Sequence, residues 1–270
     1  MSAAAGAATH RSAPNVYFFA TCVIDMFAPD AGIDAIDVLE RSGVTVHVPL
    51  RQTCCGQPAY TTGFPEEAAK VAAAQLDLFP EPWPIVVPSG SCGGMLKHHW
   101  PKLFAHDPLR LAKAEAIAAR TIEFTDYLLN VADLNLAHAR RSPLRVALHT
   151  ACSARREMGT LECGRALLQR LPGVELVVQA HESECCGFGG TFSVKHPEIS
   201  AAMTSDKLDA IRATGCDAMV SADCGCLLSL NLMLEKRRAP QRGQHIASLI
   251  RERLDASADT GANAGEGAGR

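Results

Sequence analysis

The stretch TCCGQPAYTTG at residues 53–63 has a counterpart in ECCGFGGTFS at residues 184–193. Both contain the tripeptide Cys-Cys-Gly, which is expected only about 0.03 times by chance in a chain of this composition. Outward from the tripeptide, residues 16–95 can be laid over residues 146–228 with few gaps. The chain is therefore predicted to be a tandem duplication of one unit.

The hydrophobic pattern of each copy predicts strands that alternate with helices. The predicted strands are VYFFATC, VTVHVPL and PIVVPSGSC in the first copy and LRVALHTAC, VELVVQA and DAMVSADCGC in the second. Segments with helical periodicity, such as DAIDVLERSG and residues 197–213, lie between them. This alternation indicates parallel sheets with right-handed crossovers. We therefore predict an α/β fold of two pseudo-symmetric tandem lobes, each with a mainly parallel sheet and flanking helices.

A helical segment is predicted after each copy. Residues 103–139 are predicted to be mostly helical, with the amphipathic stretch EFTDYLLNVADL, and HIASLIRERL after the second copy is their counterpart. A basic pair and a proline interrupt the pattern near residues 141–143, which marks a domain boundary. The predicted organisation is a disordered tail at 1–14, a first domain at 15–142, a second domain at 143–255 and a disordered tail at 256–270.

The composition argues against several classes of protein. The 270 residues are 47% hydrophobic and carry 26 Lys and Arg against 29 Asp and Glu, a net charge of -3. A near-neutral surface with mixed signs argues against nucleic-acid binding. No apolar run reaches the roughly 18 residues of a membrane helix, and the N-terminal stretch lacks the basic and apolar regions of an export signal. We therefore expect a cytoplasmic protein without a transmembrane segment.

The cysteines follow the duplication. In a reducing compartment, eleven cysteines indicate metal ligands or redox groups rather than a disulfide framework. Eight of them obey the repeat, and they are Cys22, Cys54, Cys55 and Cys92 in the first copy and Cys152, Cys185, Cys186 and Cys226 in the second. The first cysteine precedes the Cys-Cys pair by 32 residues in one copy and by 33 in the other. Because loops that follow parallel strands meet at one edge of a sheet, each set of four thiols is expected to converge on one centre.

The spacing of the candidate ligands along the chain indicates which metal they favour. A Cys-Cys pair can face one centre only in a turn, for which Gly56 and Gly187 supply the conformational freedom. Four thiolates suit either zinc or an iron–sulfur cluster. Structural zinc sites usually bring their ligands in short knuckles, whereas these ligands are spread across a whole lobe. The spacing therefore favours iron–sulfur, with a zinc-stabilised scaffold as an alternative.

Some cysteines and histidines fall outside the repeat. Cys163 and Cys216 are expected to pack in the core, as free cysteines often do. Cys224 is either a spare thiol or a further ligand. Three histidines lie near motif cysteines in sequence, and they are His99, His149 and His181. An imidazole at these positions could bond cluster sulfur or move protons, although an ordinary polar role is the commoner one.

The cysteine pattern resembles that of the cysteine-rich CCG-domain proteins over nearly the whole chain between the tails. The resemblance rests on Cys22, Cys54-Cys55-Gly56 and Ser91-Cys92, repeated as Cys152, Cys185-Cys186-Gly187 and Gly225-Cys226. That family includes the cysteine-rich subunit of heterodisulfide reductase and the iron–sulfur subunits of glycolate oxidase and anaerobic glycerol-3-phosphate dehydrogenase. The phrases PSGSCGGMLKHHWP and ECCGFGGTFSVKHPEIS are most similar to members of the family that take part in lactate utilization.

The resemblance implies an iron–sulfur electron-transfer subunit of a complex that oxidises L-lactate, or a related 2-hydroxy acid, to the 2-oxo acid. It implies clusters of the 4Fe-4S type, one or two per chain, held by the eight repeat cysteines with Cys224 as a candidate further ligand. The implied partners are the other subunits, including a ferredoxin-like iron–sulfur protein, since this chain has no Cys-x-x-Cys-x-x-Cys run of its own. The chain would be an oxidoreductase subunit rather than a complete enzyme.

The sequence departs from the family motif at two matching positions. The motif ends each repeat in Cys-x-x-Cys, and the first of these cysteines falls on Ser89 in one copy and on Asp223 in the other. The resemblance to heterodisulfide reductase implies an alternative function, the direct reduction of a disulfide or a quinone at a cluster. The zinc-stabilised scaffold is a third.

Overall fold

The computed structural model describes residues 14–132 and 134–255. The predicted disordered tails therefore lie outside the described residues, except for Pro14. The described chain contains two four-stranded sheets, one in each half. It is the predicted α/β fold of two similar lobes.

Each sheet is parallel throughout and has the same strand order. In the first lobe the order is β2-β1-β3-β4, and in the second it is β6-β5-β7-β8. The strands are β1 (Asn15–Phe18), β2 (Thr45–His47), β3 (Ile85–Val87), β4 (Thr121–Glu123), β5 (Leu144–Leu148), β6 (Val174–Val177), β7 (Ala218–Ser221) and β8 (Gly243–His245). Since β1 and β5 lie at matching places inside their sheets, the loops that follow them reach the centre of each carboxyl edge.

Helices connect the strands and cover the sheets. In the first lobe they are α1 (Cys22–Phe27), α2 (Pro29–Arg41), α3 (Gln57–Thr61), α4 (Pro65–Ala73), α5 (Gly90–Gly94), α6 (Trp100–Leu103), α7 (Pro108–Arg120) and α8 (Phe124–Asn130). In the second lobe they are α9 (Thr160–Arg170), α10 (Phe192–Lys195), α11 (Pro197–Arg212), α12 (Cys224–Lys236) and α13 (Ile246–Leu254). Two π-helical turns, Met95–His99 and Ala154–Met158, follow the cysteine loops. Among the described residues, none of the helices has the length and apolar character needed to cross a membrane.

The structure corrects the prediction for the segments that follow each copy. Residues 103–139 are not one mostly helical stretch, because Thr121–Glu123 forms a fourth strand between α7 and α8. Gly243–His245 does the same before α13. These two short strands run directly into a helix and lack a longer apolar or β-branched run, such as those that contain β2 and β3, so the sequence pattern did not reveal them. The stretch PEEAAKVAAAQLDLF also predicts a helix over residues 65–79, but α4 ends early, at Ala73.

The two lobes share one hydrophobic core. Val16 and Phe18 of β1 point into it from one sheet, and Val146 and Leu148 of β5 point into it from the other. Tyr17 of β1 and Phe19, which directly follows the strand, face a separate core of the first lobe, as the two-residue period of a strand requires.

The contacts between the lobes are related by the repeat. Helix α2 packs against α13, and its counterpart α9 packs against α8. In the same way α1 contacts α12, while α5 contacts the π-helical turn 154–158. On one side the packing is reinforced by the ion pair of Arg251 with Asp34, at 3.1 Å. This pseudo-twofold arrangement brings the carboxyl edges of both sheets to one region of the molecule.

Candidate metal site

The eight repeat cysteines lie just beyond the ends of the strands, where the sequence placed them. Cys22 begins α1, Cys92 lies in the first turn of α5, and Cys226 lies in the first turn of α12. The two Cys-Cys pairs and Cys152 lie in loops or at the start of a helical turn. In the described chain all eleven cysteines are free thiols.

In the first lobe the four thiols converge. The Sγ atoms of Cys55 and Cys92 are 3.4 Å apart, far beyond the roughly 2.05 Å of a disulfide. The Cys54 thiol forms hydrogen bonds with the thiols of Cys22 and Cys55. Cys55 and Cys92 are buried, whereas Cys22 and Cys54 are half-buried.

The second lobe repeats this arrangement. The Sγ atoms of Cys152 and Cys185 are 4.0 Å apart. Cys186 and Cys226 are buried, and Cys152 and Cys185 are half-buried. In both lobes the amide that follows the Cys-Cys pair donates to the first thiol of the pair. Gly56 N donates to Cys54 Sγ and Gly187 N donates to Cys185 Sγ, each at 3.4 Å.

The glycine of each tripeptide makes the turn. Gly56 has a φ of +89° and Gly187 a φ of +85°, in the left-handed region that glycine adopts without strain. A Cβ at Gly187 would also lie 2.5 Å from the carbonyl oxygen of Ser200. The turn lets adjacent cysteines face the same centre, as the sequence predicted.

Buried side chains hold the Cys-Cys loops in place. In the first lobe, Trp100 Nε1 donates to the carbonyl of Cys55 at 2.9 Å. Gln75 donates to the carbonyl of Cys54 at 2.8 Å and accepts from the amide of Thr53 at 3.0 Å. These bonds fix the backbone on both sides of the pair, so the thiols are preorganised.

The second lobe uses different side chains for the same task. Thr204 Oγ1 donates to the carbonyl of Cys186 at 2.7 Å. Lys207 Nζ donates to the carbonyls of His181 and Glu182, at 2.6 and 3.4 Å. Lys207 lies ten residues after the first residue of α11, as Gln75 lies ten residues after the first residue of α4. A buried cation in one lobe therefore takes the place of a neutral amide in the other.

Both thiol sets line one cavity of about 260 Å³. Between them lie the two residues at which the sequence departs from the family motif. Ser89 Oγ donates to Asp223 Oδ2 at 3.1 Å, and the amide of Ser91 donates to the same oxygen at 3.2 Å. Asp223 Oδ1 accepts from the amide of Gly225, in the first turn of α12, at 3.2 Å. The departures from the motif thus form a hydrogen bond that joins the two lobes.

The thiols of the first lobe differ in acidity. Cys54 accepts hydrogen bonds from Cys22 and Cys55, and these, with the amide of Gly56, outweigh burial and lower its pKa. The pKa values of Cys22 and Cys55 are raised, first by their hydrogen bonds to Cys54 and then by burial. One thiolate is therefore favoured in the first lobe, and a cation is needed before the others ionise.

In the second lobe the pKa values of all four thiols are raised. The hydrogen bond from Cys152 lowers the pKa of Cys185, but the bond to Cys186 and burial leave it raised. For Cys152 the hydrogen bond to Cys185 is the largest cause, followed by burial. The hydrogen bond with Cys186 lowers the pKa of Cys226, but burial leaves this pKa raised.

The other candidate cysteines have different surroundings. Cys224 is buried and lines the shared cavity, and burial, then the charges of Asp223 and of Cys92 in the first lobe, raises its pKa to about 12. Cys163 lies away from the cavity, with its Sγ 3.9 Å from Asp126 Oδ1. Cys216 packs at the edge of the core of the second lobe, as expected for a structural cysteine.

Of the three candidate histidines, the structure brings only His149 to a thiol set. His99 is paired with Glu157 at 3.0 Å, and His181 is exposed beside Glu184. A ring nitrogen of His149 and the Sγ atoms of Cys186 and Cys226 all lie within 4.8 Å of one another. Burial, then the charges of Lys207 and Arg155, lowers the pKa of His149 to about 3, so the ring is neutral at physiological pH.

The clustered cysteine and histidine side chains indicate a metal or iron–sulfur site. Four thiols joined by a chain of hydrogen bonds cannot all ionise without a cation, and thiolates are the preferred ligands of zinc and of iron–sulfur clusters. Sequence reasoning did not assign a role to Gln75, Lys207 or Trp100. The signal for the first two was their matching position in the repeat, and Trp100 gave none.

Comparison with known families defines the class of protein. The model of the CCG cysteine-rich domain matches residues 16–97 and again residues 146–231. These two matches enclose both thiol sets. The chain therefore belongs to the CCG cysteine-rich domain family.

Within this family the chain is similar to proteins named Lactate utilization protein A. It is 39% identical to the protein from Shouchella clausii over 239 residues, 87% of this chain and 98% of that protein. It is 38% identical to the one from Anoxybacillus flavithermus over 239 residues, 88% of this chain and 100% of that protein.

The fold also resembles a solved structure, that of a hypothetical protein from Helicobacter pylori. The TM-score is 0.60 at 10% sequence identity. The match covers 90% of this chain and spans 50% of the length of that structure. At this identity the likeness shows the fold alone.

Proposed function

We propose that this protein is an iron–sulfur electron-transfer subunit of a system that uses L-lactate or a related 2-hydroxy acid. The observation that carries the proposal is the pair of thiol sets, each drawn from three separate loops of a parallel sheet and facing one cavity. The similarity to proteins named Lactate utilization protein A over most of both chains supports the substrate.

The roles of the residues follow from their positions. Cys22, Cys54, Cys55 and Cys92 hold one centre, and Cys152, Cys185, Cys186 and Cys226 hold the other. Cys224 is a candidate further ligand. Each lobe is proposed as one binding unit, residues 15–142 and residues 143–255. An iron–sulfur cluster of the 4Fe-4S type, bound in either set, would supply one-electron redox chemistry.

The rest of each site positions these ligands and protects them. Backbone amides of Gly56 and Gly187 donate to cysteine sulfur, an interaction that tunes the potential of thiolate-bound clusters. The proposed partners are the other subunits of a lactate-oxidising complex, including a ferredoxin-like iron–sulfur protein. We place the protein in the cytoplasm, where free thiols are kept reduced.

A complementation experiment tests the proposal. In cells that lack this chain, L-lactate-dependent electron transfer is expected to fail and to return when the full chain is supplied. A Cys54→Ser chain is expected not to restore it, whereas a Cys163→Ser chain is, because Cys163 lies outside the cavity. Undiminished lactate oxidation without the chain would overturn the proposal.

A second candidate function is the reduction of a disulfide or a quinone directly at a centre. The shared cavity of about 260 Å³ favours it, since a group held there would contact both thiol sets. A change in the EPR spectrum of the loaded protein when a thiol, disulfide or quinone is added would support this function over a simple relay. Zinc without acid-labile sulfide would instead support the scaffold alternative.

A further inference from the structure

The imidazole of His149 is buried without a hydrogen-bond partner. Its side chain lies just after β5, and the residue is 1% exposed. Within the described part of the chain, neither Nδ1 nor Nε2 has a hydrogen-bond partner. A buried polar group left unpaired is destabilising, so such a group calls for a physical cause.

The cause lies in its neighbours. One ring nitrogen and the thiols of Cys186 and Cys226 form a group of three ligand atoms, each within 4.8 Å of the others. Neutral imidazole is the commonest side-chain metal ligand, and thiolate with imidazole is a donor set that zinc and iron both accept.

The matching position of the first lobe has no such donor. His149 lies three residues before Cys152, and Phe19 lies three residues before Cys22. Phe19 is fully buried and packs edge-on against Trp100, with ring centroids 6.4 Å apart. The repeat therefore places an aromatic ring at both positions, but only the ring in the second lobe carries a ligand atom.

We propose that His149 is a nitrogen ligand of the centre in the second lobe, next to Cys186 and Cys226 and in addition to its thiolates, while the centre of the first lobe is bound by thiolates alone. This inference rests on the proposed function in that it requires the second lobe to bind a metal or cluster. An imidazole ligand changes the reduction potential of the centre that it binds, because ligand identity is one of the factors that set the potential of such centres. The two centres of one chain would then differ in potential.

The experiment uses the full chain, reconstituted anaerobically with iron and sulfide and labelled with 15N-histidine. Pulsed EPR of the reduced protein is expected to show a 15N coupling that His149→Phe removes. The same variant is expected to lower the metal affinity of the second lobe at least tenfold and to leave the centre of the first lobe loaded. Phenylalanine copies Phe19, and the first-lobe centre reports that the variant has folded.

His99→Phe is the matched control, because His99 is bonded to Glu157 and is not part of the group of ligand atoms that His149 forms with Cys186 and Cys226. It is expected to keep both the coupling and the metal. A loaded second lobe without a 15N coupling, or full metal retention in His149→Phe, would overturn the inference but leave the proposed function intact. Failure of the wild-type chain to bind iron and sulfide would instead overturn the proposed function. If that chain binds zinc, loss of zinc from the second lobe of His149→Phe would support the inference, and full zinc retention would overturn it.

Discussion

The two lobes have the same strand order and cysteine spacing, but they differ in the buried polar groups around the thiols. Three pairs of matching residues show the difference, and they are Phe19 and His149, Gln75 and Lys207, and Ser89 and Asp223. In each pair the second-lobe residue has an ionisable side chain and its first-lobe partner does not. Duplication thus preserved the geometry of the ligands, while the surroundings of each centre diverged.

The difference has an electrostatic consequence. The second lobe has the cation of Lys207 and the neutral imidazole of His149 close to its thiols, whereas the first has Gln75 and Phe19 at these places. Positive charge near a cluster stabilises its reduced form. Two otherwise similar centres are therefore expected to have unequal potentials, as a relay requires.

The largest effect is expected from removing one ligand. Cys54→Ser should abolish the centre of the first lobe and Cys185→Ser that of the second, because a serine hydroxyl does not replace a thiolate. Iron and sulfide per chain should fall by about half in each variant if both lobes are loaded. Cys163→Ser, the control, should leave both unchanged. Full iron and sulfide in either ligand variant would show that the lobe has been assigned wrongly.

Thiol reactivity of the metal-free protein should separate the lobes next. The hydrogen bonds from Cys22 and Cys55 lower the pKa of Cys54, so its thiolate is already formed at acidic pH. The pKa of Cys185 is raised, so its thiolate fraction should grow about tenfold for each pH unit. Alkylation by iodoacetamide from pH 5 to pH 8, followed by mass spectrometry, should give a nearly flat profile for Cys54 and a steep one for Cys185. Parallel profiles would contradict the difference in acidity.

The last helix of each lobe has a buried N-cap whose titration should affect stability in opposite directions. Burial raises the pKa of Glu123 to about 7, so the carboxyl favours folding below about pH 4.5 and loses that contribution as the pH rises to 7. Glu123→Gln, which keeps the cap neutral, should raise the free energy of unfolding at pH 8 by up to about 3 kcal/mol and change little at pH 4.5. Urea unfolding at both pH values, at the same metal loading, measures this.

His245 provides the comparison in the second lobe. Burial lowers the pKa of this histidine, so its contribution should be lost as the pH falls below about 6.5. His245→Gln should therefore change the free energy of unfolding at acidic pH, where Glu123→Gln changes it little. An equal effect of Glu123→Gln at both pH values would contradict the assignment of a raised pKa.

The smallest effect is expected at the bond between the lobes. Ser89→Ala removes the hydroxyl that donates to Asp223 and that also accepts weakly, at 3.5 Å, from the amide of Cys92 as the N-cap of α5, while Asp223 keeps the amides of Ser91 and Gly225. The loss of one hydrogen bond to a charged group should lower the free energy of unfolding by about 1–2 kcal/mol. Ser91→Ala, which keeps its backbone amide, should cost less. If thermal unfolding gives both variants the same stability, the bond from Ser89 to Asp223 does not stabilise the contact between the lobes.

The sequence predicted the frame of the molecule better than its details. The duplicated Cys-Cys-Gly units indicated the parallel sheets, the two lobes and the convergence of the thiols, because repeat spacing and strand ends can be identified from the local sequence pattern. The strands β4 and β8 were missed, since they run directly into helices and lack a longer apolar or β-branched run. Of the histidines near motif cysteines, chain proximity could not distinguish His149 from His99.

The shared cavity was also beyond the sequence. That the two sets face each other depends on how α2 packs against α13 and α8 against α9, which is decided by the tertiary fit of helix faces. The same is true of Ser89 and Asp223, which are noticeable in sequence as departures from a motif but whose contact spans the two lobes. Burial and long-range contact, rather than spacing, determine these features.

The central claim is that each lobe binds its own redox centre. Its most direct test is the content of iron, zinc and acid-labile sulfide per chain in anaerobically purified full-length protein, with EPR spectra of the same sample before and after reduction. The account predicts iron and sulfide in matching stoichiometry and two distinguishable signals. Zinc alone, or no metal after anaerobic reconstitution, would contradict it.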